Sequence, residues 1–205
     1  MKPLVIFLNG TSSSGKTSIA LALQEQYKEP LLHTGIDTLY DMLPKQVFGS
    51  SSVAAKGYRY IMRNGLLDHV EIGTHAKRLL ACTVPLTQVL LIHGNELVID
   101  EILFAGEGRS FLADYAAAFV NAQAYFIKVE CPLAVLEERE AGRPDRHRGI
   151  ARAQFSTVHA HGYAYDYTVN THLFSPTECA WQILNYIATQ KKPVAFERIR
   201  SGTKE

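Results

Sequence analysis

Short apolar runs alternate along this chain with longer stretches in which apolar residues recur every three or four positions. Five of the runs have the length and the branched or aromatic content of buried strands, at residues 4–8, 31–33, 97–99, 124–129 and 165–169. Helical spacing of apolar residues covers the stretches 16–27, 74–93, 109–118, 150–159 and 175–190, and a further helix begins at Cys131-Pro132. Strands that alternate with helices predict an α/β fold, with a five-stranded, mainly parallel sheet and helices on both faces.

Residues 58–72 interrupt this alternation. Asn64-Gly65 lies between two runs of mixed apolar and polar residues, and the pair Asn-Gly favours the type I′ turn of a β-hairpin. We therefore expect a small hairpin insertion at about residues 58–72, within a single domain that covers residues 1–190. Pro85 predicts either a kink or a second helix start within 74–93. The polar residues 191–205 predict a loosely held C-terminal tail.

A glycine- and serine-rich segment joins the first predicted strand to the first predicted helix. Its sequence, Gly10-Thr11-Ser12-Ser13-Ser14-Gly15-Lys16-Thr17, has the spacing of a phosphate-binding loop of the Walker A type, and the strand before it and the helix after it supply the required context. Backbone N–H groups and the positive end of the helix would attract phosphates. Lys16 would reach the β- and γ-phosphates of a nucleotide, and the Thr17 hydroxyl would bind Mg²⁺. A simple Gly/Ser-rich turn is the alternative. We predict nucleotide binding, with the segment extended by one residue: Gly10, Thr11, Ser12, Ser13, Ser14, Gly15, Lys16, Thr17 and Ser18.

Carboxylates follow two of the other predicted strands. Asp37 comes after the strand at 31–33, and Asp100 directly ends the strand at 97–99. Because the carboxyl ends of parallel strands meet at one edge, we expect both to converge with the loop on one crevice. Asp100 is typical of a Mg²⁺ ligand in such sites, although a solvated strand end gives the same pattern. Asp37 suits a general base that accepts the proton of an acceptor hydroxyl, and equally suits the N-cap of a short helix at residues 38–43.

Arginines are concentrated between residues 139 and 152. Arg139 and Arg143 are four positions apart, which predicts a shared helix face, and Arg146 and Arg148 follow in a segment that contains glycine and proline. Most runs of charge are solvated surfaces. The preference for arginine over lysine favours instead a lid at about residues 139–149 that closes over a triphosphate. Arg139, Arg143 and Arg146 are the predicted catalytic arginines.

Composition limits the class of protein. The chain has 205 residues, is 47% hydrophobic and carries a formal net charge of +1, which does not suggest a nucleic-acid-binding surface. Its apolar runs are too short for a signal peptide or a membrane span. The three cysteines, Cys82, Cys131 and Cys179, have no metal-ligand spacing, and we expect reduced core residues in a cytoplasmic protein.

The order and spacing of several segments resemble the chloramphenicol phosphotransferase family from residue 4 to about residue 187. The segments are 6–17, Gly35-Ile36-Asp37-Thr38-Leu39, Val98-Ile99-Asp100-Glu101, Glu138-Arg139-Glu140-Ala141 with Arg143, Asp145 and Arg146, and Glu178-Cys179-Ala180-Trp181. The loop is generic to nucleotide-binding proteins. The other segments together are much more specific to this family.

This resemblance implies a P-loop NTPase fold of the shikimate- and nucleotide-kinase kind, and an ATP- and Mg²⁺-dependent kinase. It implies phosphorylation of a primary hydroxyl of chloramphenicol, which inactivates the antibiotic, with Asp37 in the position of the family's proposed base. We expect the acceptor to be a small hydroxyl compound. We expect the protein to have no nucleic-acid or membrane partner, and the sequence leaves its oligomeric state open. The sequence leaves two alternatives. The protein could be a kinase of another small metabolite, or it could be a nucleotide-dependent switch or binding protein.

Overall fold

The computed structural model of the protein describes residues 2–103, 107–143, 148–189 and 192–203. Its main sheet has five strands, which all run parallel in the order β2-β6-β1-β7-β8. They are β1 (Leu4–Asn9), β2 (Leu31–Gly35), β6 (Glu96–Glu101), β7 (Gln123–Glu130) and β8 (Tyr167–Asn170). The predicted five-stranded parallel sheet is confirmed, and its first strand occupies the centre.

Helices cover this sheet on both faces, as the alternation of strands and helices predicted. The described α-helices are α1 (Lys16–Gln26), α2 (Ile36–Tyr40), α3 (Thr74–Leu80), α4 (Thr83–Ile92), α5 (Glu107–Ala118), α6 (Leu133–Ala141), α7 (Ile150–Phe155), α8 (Pro176–Thr189) and α9 (Ala195–Ser201). Helices α3 and α4 divide the predicted stretch 74–93, and Pro85 lies in the first turn of α4, where its missing N–H removes no helical hydrogen bond.

Alternate side chains of β1 enter two separate cores, because successive residues of a strand point to opposite faces of a sheet. Ile6 and Leu8 pack in the core beneath α1 and α8, which contribute Ile19 and Ile183 among others. Phe7, on the opposite face, is fully buried in a core formed with α4, α5 and α9. Its ring meets four other aromatic rings edge to face, with centroids 4.8 to 6.1 Å apart, and the four rings belong to Tyr115, Phe119, Phe126 and Phe196.

The predicted hairpin at residues 58–72 is present and belongs to a second, three-stranded sheet. Its strands are β3 (Phe48–Gly49), β4 (Tyr58–Arg63) and β5 (Leu66–Ile72), with β4 and β5 antiparallel around a turn at Asn64-Gly65. Both turn residues have positive φ, 52° and 77°, as a type I′ turn requires. Strand β3, which the sequence did not predict, pairs parallel with the start of β4.

The end of the described chain corrects one prediction. A loosely held tail was expected from residue 191 onward, but residues 195–201 form α9. Phe196 and Ile199 bury their side chains beside α5, and Arg200 donates a hydrogen bond to the carbonyl oxygen of Ala116 at 2.9 Å. Two apolar residues three positions apart are enough to attach this short helix to the core.

Two further observations concern the surface and the cysteines. Cys131 and Cys179 are buried as expected, but Cys82 is exposed at the junction of α3 and α4, so the prediction of a core position was wrong for Cys82. Within the described ranges, no helix has the length and apolar character needed to cross a membrane.

Candidate active site

The segment 10–17 forms a tight loop between β1 and α1. Gly15 precedes the helix with φ of 90°, a left-handed conformation that glycine adopts without strain, and Ser13 has φ of 62°. A Cβ atom at Gly10 would lie 2.7 Å from both Ser14 Oγ and the carbonyl oxygen of Val129, so only glycine fits there. The hydroxyl oxygens of Ser13 and Ser14 are buried and have no hydrogen-bond partner in the described part of the chain. Such a loop fits a polyphosphate, whose oxygens would supply the missing partners.

Lys16 lies folded against its own loop. Its Nζ donates hydrogen bonds to the carbonyl oxygens of Gly10 and Thr11, at 2.9 and 2.8 Å. The ammonium group is therefore already at the loop, and a short rotation of the side chain would direct it toward phosphates bound there.

Thr17 and Asp100 bring two oxygen ligands together beside the loop. The Thr17 hydroxyl donates to Asp100 Oδ2 at 2.8 Å, and the register pairs Asp100 with Leu8 on β1 and with Gly35 on β2. A hydroxyl and a carboxylate are hard oxygen donors, which suit Mg²⁺ when phosphate oxygens and waters complete the shell. The residues fit a magnesium ion held by Thr17 and Asp100.

The surroundings keep Asp100 ionised. Burial alone would raise the pKa of this carboxyl, but His33, whose Nε2 lies 3.2 Å from Oδ1, and the Thr17 hydroxyl hold the pKa below its usual value. A Cβ atom at Gly35 would lie 2.2 Å from Oδ1, so the carboxylate packs directly against a glycine backbone. An ionised carboxylate in a fixed position is the form that binds a cation.

Asp37 faces the same cleft from the first turn of α2. The helix begins at Ile36 and Gly35 is its N-cap, so the alternative that Asp37 caps a helix at residues 38–43 is wrong. The residue is exposed, lines the cleft together with Lys16 and Thr17, and lies two positions after the end of β2. Its position leaves the carboxylate accessible to a second substrate.

Arg139 is held against the loop by one threonine. Its Nη1 donates to Thr171 Oγ1 at 3.0 Å and its Nη2 donates to the carbonyl oxygen of Thr171 at 2.6 Å. Thr171 Oγ1 in turn donates to the carbonyl oxygen of Ser14 at 2.8 Å. Arg139 therefore lies next to the phosphate-binding loop with its guanidinium plane fixed by two hydrogen bonds.

Among the other arginines of this segment, the structure places Arg143 differently from the sequence prediction. Helix α6 ends at Ala141, so Arg143 lies beyond it and does not share a helix face with Arg139, contrary to the sequence prediction. Arg143 nevertheless lines the cleft, which it reaches from the segment after Gly142. Arg146 lies outside the described residues. Arg148 is exposed, and its carbonyl oxygen accepts a hydrogen bond from the Leu67 N–H of β5 at 3.3 Å.

These residues surround a single cleft of about 470 Å³ at the carboxyl edge of the main sheet. Its wall combines the loop, the start of α2, the end of β6 and the arginine segment. The residues predicted for chemistry that line it are Lys16, Thr17, Asp37, Asp100, Arg139 and Arg143. The sequence-based expectation that separated segments converge on one crevice is met by these six residues.

A smaller apolar cavity of about 110 Å³ adjoins the cleft, since Ile36 and Ile102 line both. Glu101, the last residue of β6, is buried in its wall and accepts a hydrogen bond from the Tyr115 hydroxyl at 2.8 Å. Burial raises the pKa of Glu101 to about 7, although the Tyr115 hydrogen bond opposes this. Tyr40 also lines the cavity.

A buried polar network holds the end of β1 in place. Asn9 Nδ2 donates to the Tyr165 hydroxyl oxygen at 2.7 Å, and Asn9 Oδ1 accepts from the Leu103 N–H at 2.9 Å. His159 Nδ1 and His161 Nε2 lie 2.7 and 2.8 Å from the same hydroxyl oxygen. The network connects the strand before the loop with the segment that follows β6, and so fixes two sides of the cleft.

This network predicts an acid-sensitive contribution to stability. Burial, together with the charge of Lys128, lowers the pKa of His159 from 6.5 to about 4. Between these values the unfolded chain binds a proton that the folded chain does not bind. The contribution is therefore fully present above about pH 6.5 and is lost as the pH falls toward 4. We expect His159 to account for a loss of about 2 kcal/mol in the free energy of unfolding between pH 7 and pH 5.

Urea titrations at the two pH values test this. The variant His159→Asn, which keeps a polar atom near the position of Nδ1, should lose less stability on acidification than the wild type. The matched variant His93→Asn, at an exposed position, should behave as the wild type does. Equal losses in the wild type and in His159→Asn would contradict the assignment.

Sequence reasoning missed three contributors to this site. Thr171 had no motif around it, and its role depends on a backbone carbonyl that only the fold supplies. Gln154 of α7 accepts a hydrogen bond from the Ser12 N–H at 2.7 Å, across a long separation in sequence. Glu101 stood next to a predicted ligand and had received no role, although a second carboxylate after a buried strand was a signal that could have drawn attention.

Comparison with known proteins identifies a family whose model matches most of the chain. Residues 3–188 match the model of the family described as chloramphenicol phosphotransferase-like protein. A Mycobacterium tuberculosis protein, whose name provisionally assigns it as an O-phosphotransferase, is 28% identical over 200 residues, which are 96% of this chain and 87% of that protein.

Solved kinase structures share the fold. A sugar kinase from Janibacter has a TM-score of 0.62 at 14% identity, with 91% of this chain and 95% of that chain covered. The APS kinase of Mycobacterium tuberculosis, solved with AMPPNP and APS, has a TM-score of 0.59 at 16% identity, with 92% and 99% covered. The fold is that of P-loop kinases, and the family match spans nearly the whole sequence. The chain belongs to the chloramphenicol phosphotransferase-like family of P-loop kinases.

Proposed function

We propose that this kinase transfers the γ-phosphoryl group of ATP, in the presence of Mg²⁺, to a hydroxyl of chloramphenicol or a similar small molecule, and so inactivates the antibiotic. The observation that carries the proposal is the single cleft at the edge of the sheet. Lys16, Thr17, Asp37, Asp100 and Arg139 line it together, although they come from four separate parts of the chain.

The residues of the loop would bind the nucleotide. Backbone N–H groups after Gly10 and the start of α1 would receive the phosphates, and Lys16 would exchange its two carbonyl partners for phosphate oxygens. Thr17 and Asp100 would hold Mg²⁺, which neutralises the charge that develops on the phosphate oxygens.

Asp37 would act on the acceptor. In the transfer step, the acceptor oxygen forms a bond to the γ-phosphorus, the bond between this phosphorus and the β–γ bridging oxygen breaks, and ADP leaves. The proton of the acceptor hydroxyl passes to the Asp37 carboxylate. The exposure of Asp37 toward the cleft supports this role.

Arginines would complete the charge balance. Arg139 lies beside the loop through its bonds to Thr171, and Arg143 lines the cleft, so both guanidinium groups would be close to the transferring phosphoryl oxygens. We propose the same role for Arg146.

The three cysteines that the structure describes as free are consistent with a reducing compartment, and we propose that the protein acts in the cytoplasm on a small molecule.

Mass spectrometry of chloramphenicol incubated with the protein, ATP and Mg²⁺ tests the proposal. We expect chloramphenicol to gain one phosphoryl group, with release of one ADP per product and no product when EDTA removes Mg²⁺. Product that forms equally well without the protein or with EDTA would contradict it. If ATP binds but chloramphenicol is unchanged, the acceptor assignment is wrong, and a screen of other hydroxyl compounds would separate a different kinase from a nucleotide-dependent switch.

A further inference from the structure

The apolar cavity beside the cleft has walls made almost wholly of hydrocarbon. It lies between the ends of β5 and β6 and the helices α2, α3, α4 and α5. The apolar and aromatic side chains that line it are Ile36, Tyr40, Ile72, Leu80, Ile102, Leu103, Phe111 and Tyr115. Its volume of about 110 Å³ has room for only a few heavy atoms, which is less than a whole drug-sized molecule requires. The cavity would therefore take one end of a ligand.

Polar atoms occur at the wall of this cavity, and they are unusual for their burial. Glu101 is 4% exposed and accepts a hydrogen bond from Tyr115, but a carboxylate has about four acceptor positions. Thr83 is 7% exposed, and its hydroxyl has no hydrogen-bond partner among the residues that the structure describes. A buried hydroxyl without a partner is costly, so its presence in a cavity wall points to a ligand that supplies one.

The cavity opens toward the phosphate chemistry. Ile36 precedes Asp37 and lines both spaces, as does Ile102, which follows Glu101. A molecule whose hydroxyl lies beside Asp37 could therefore extend past these two isoleucines and place a second polar group at Glu101. The two polar groups of such a molecule would be recognised by different carboxylates.

The charge of the cavity selects against anions. Among the lining residues that the structure describes, Glu101 is the one carboxylic acid, and there is neither a lysine nor an arginine. An acceptor with a carboxylate or phosphate at its far end would meet an apolar wall and a carboxyl group, with no cation to neutralise it. An uncharged end that carries a hydrogen-bond donor would satisfy both Glu101 and Thr83.

We propose that this cavity is the specificity subsite for the acceptor, and that Glu101, with Tyr115 and Thr83, hydrogen-bonds a second hydroxyl or an amide N–H of an uncharged, largely apolar alcohol. The inference rests on the proposed function, because it assumes that the phosphorylated hydroxyl lies beside Asp37. Glu101 and Thr83 are binding residues in this account, and Tyr115 is a positioning residue that orients the Glu101 carboxyl.

Isothermal titration calorimetry with AMPPNP and Mg²⁺ present measures acceptor binding without turnover. We expect the wild type to bind chloramphenicol, which is uncharged and carries hydroxyl and amide donors, and to show no binding of gluconate, an anionic alcohol. Glu101→Gln should weaken chloramphenicol binding about tenfold to a hundredfold, and Thr83→Val or Tyr115→Phe should weaken it about threefold to tenfold. The matched variant Tyr125→Phe, on β7 and away from the cavity, should bind chloramphenicol as the wild type does.

Two additional readouts exclude a general structural effect. The affinity for AMPPNP and the Mg²⁺ concentration needed for nucleotide binding should stay within about twofold of the wild type in all four variants, since the loop and the proposed Mg²⁺ ligands Thr17 and Asp100 are unchanged in them. In turnover assays, Glu101→Gln should raise KM for the acceptor by a larger factor than it lowers kcat. If Glu101→Gln fails to fold, Thr83→Val and Tyr115→Phe supply the same test.

The inference and the proposed function can fail separately. Chloramphenicol that binds in a Glu101-dependent manner but is not phosphorylated would reject the transfer reaction and keep the subsite. Chloramphenicol that is phosphorylated with an unchanged KM in Glu101→Gln and Thr83→Val would keep the reaction and overturn the subsite. Binding of gluconate with equal or greater affinity, or absence of chloramphenicol binding by the wild type, would also overturn the subsite.

Discussion

Lys16→Ala is expected to lower kcat/KM for phosphoryl transfer by about 10²–10³-fold or more. Lys16 is the cation that the loop itself positions, and its loss removes a charge-assisted interaction with phosphate oxygens whose negative charge grows in the transition state. In the structure its ammonium group is held by the carbonyl oxygens of Gly10 and Thr11, so it is already located at the loop before a nucleotide arrives. The measurement is ADP release coupled to acceptor phosphorylation, over a range of ATP concentrations.

Lys28→Ala is the matched control for this result. Lys28 is exposed just beyond the end of α1, and its removal changes the net charge by the same amount. We expect it to keep activity within about twofold of the wild type. Because Lys16 is itself buried and bonded, a thermal melt should accompany the assay, to show that Lys16→Ala is folded. A folded Lys16→Ala protein with nearly full activity would exclude this lysine from phosphate binding.

Asp37→Asn is expected to lower kcat by about 10²–10⁴-fold, with ATP affinity changed by less than about threefold. The amide keeps the size and polarity of the side chain but cannot accept the proton of the acceptor hydroxyl. Asp37 lies on α2 rather than on the loop, so the nucleotide should bind as before. Single-turnover transfer from ATP to chloramphenicol, measured beside equilibrium nucleotide binding, separates the two effects.

The control for Asp37 lies on the same short segment. Asp41 is the residue directly after α2 and is exposed, so Asp41→Asn makes the identical chemical change a few residues away. It should leave both kcat and ATP affinity almost unchanged. Acceptor phosphorylation that persists at the wild-type rate in Asp37→Asn would reject the base assignment.

The parts of the protein that sequence analysis predicted well share a local cause. The loop at 10–17 has a fixed spacing, because tight backbone curvature needs glycine at set positions and the phosphates need a lysine directly after. Asn64-Gly65 likewise determines its own turn. The parallel sheet followed from runs of buried apolar residues, and once the strands were parallel, the placement of Asp37 and Asp100 at one edge followed from topology.

Long-range contacts account for what was missed. Thr171 joins Arg139 to Ser14, and no pattern within a short window of sequence records that the three would meet. Helix α9 was taken as a tail because it has only two large apolar residues, Phe196 and Ile199, fewer than a periodic pattern needs for recognition. Arg143 was placed on a helix from its spacing to Arg139, but the helix ends at Ala141. The cavity around Glu101 forms only when six elements, α2, β5, α3, α4, β6 and α5, pack together.

The central place of β1 in the main sheet has a consequence for how the protein is made. Its two neighbours are β6 and β7, at residues 96–101 and 123–130, so β1 leaves the ribosome long before either of its partner strands has been synthesised. At roughly 5–20 residues per second, this delay lasts several seconds, during which the run Leu4–Asn9 keeps both of its apolar faces and both of its edges unpaired. We expect the nascent chain to depend on shielding of this strand during synthesis, and refolding of the purified protein to be slower than that of helical proteins of equal size.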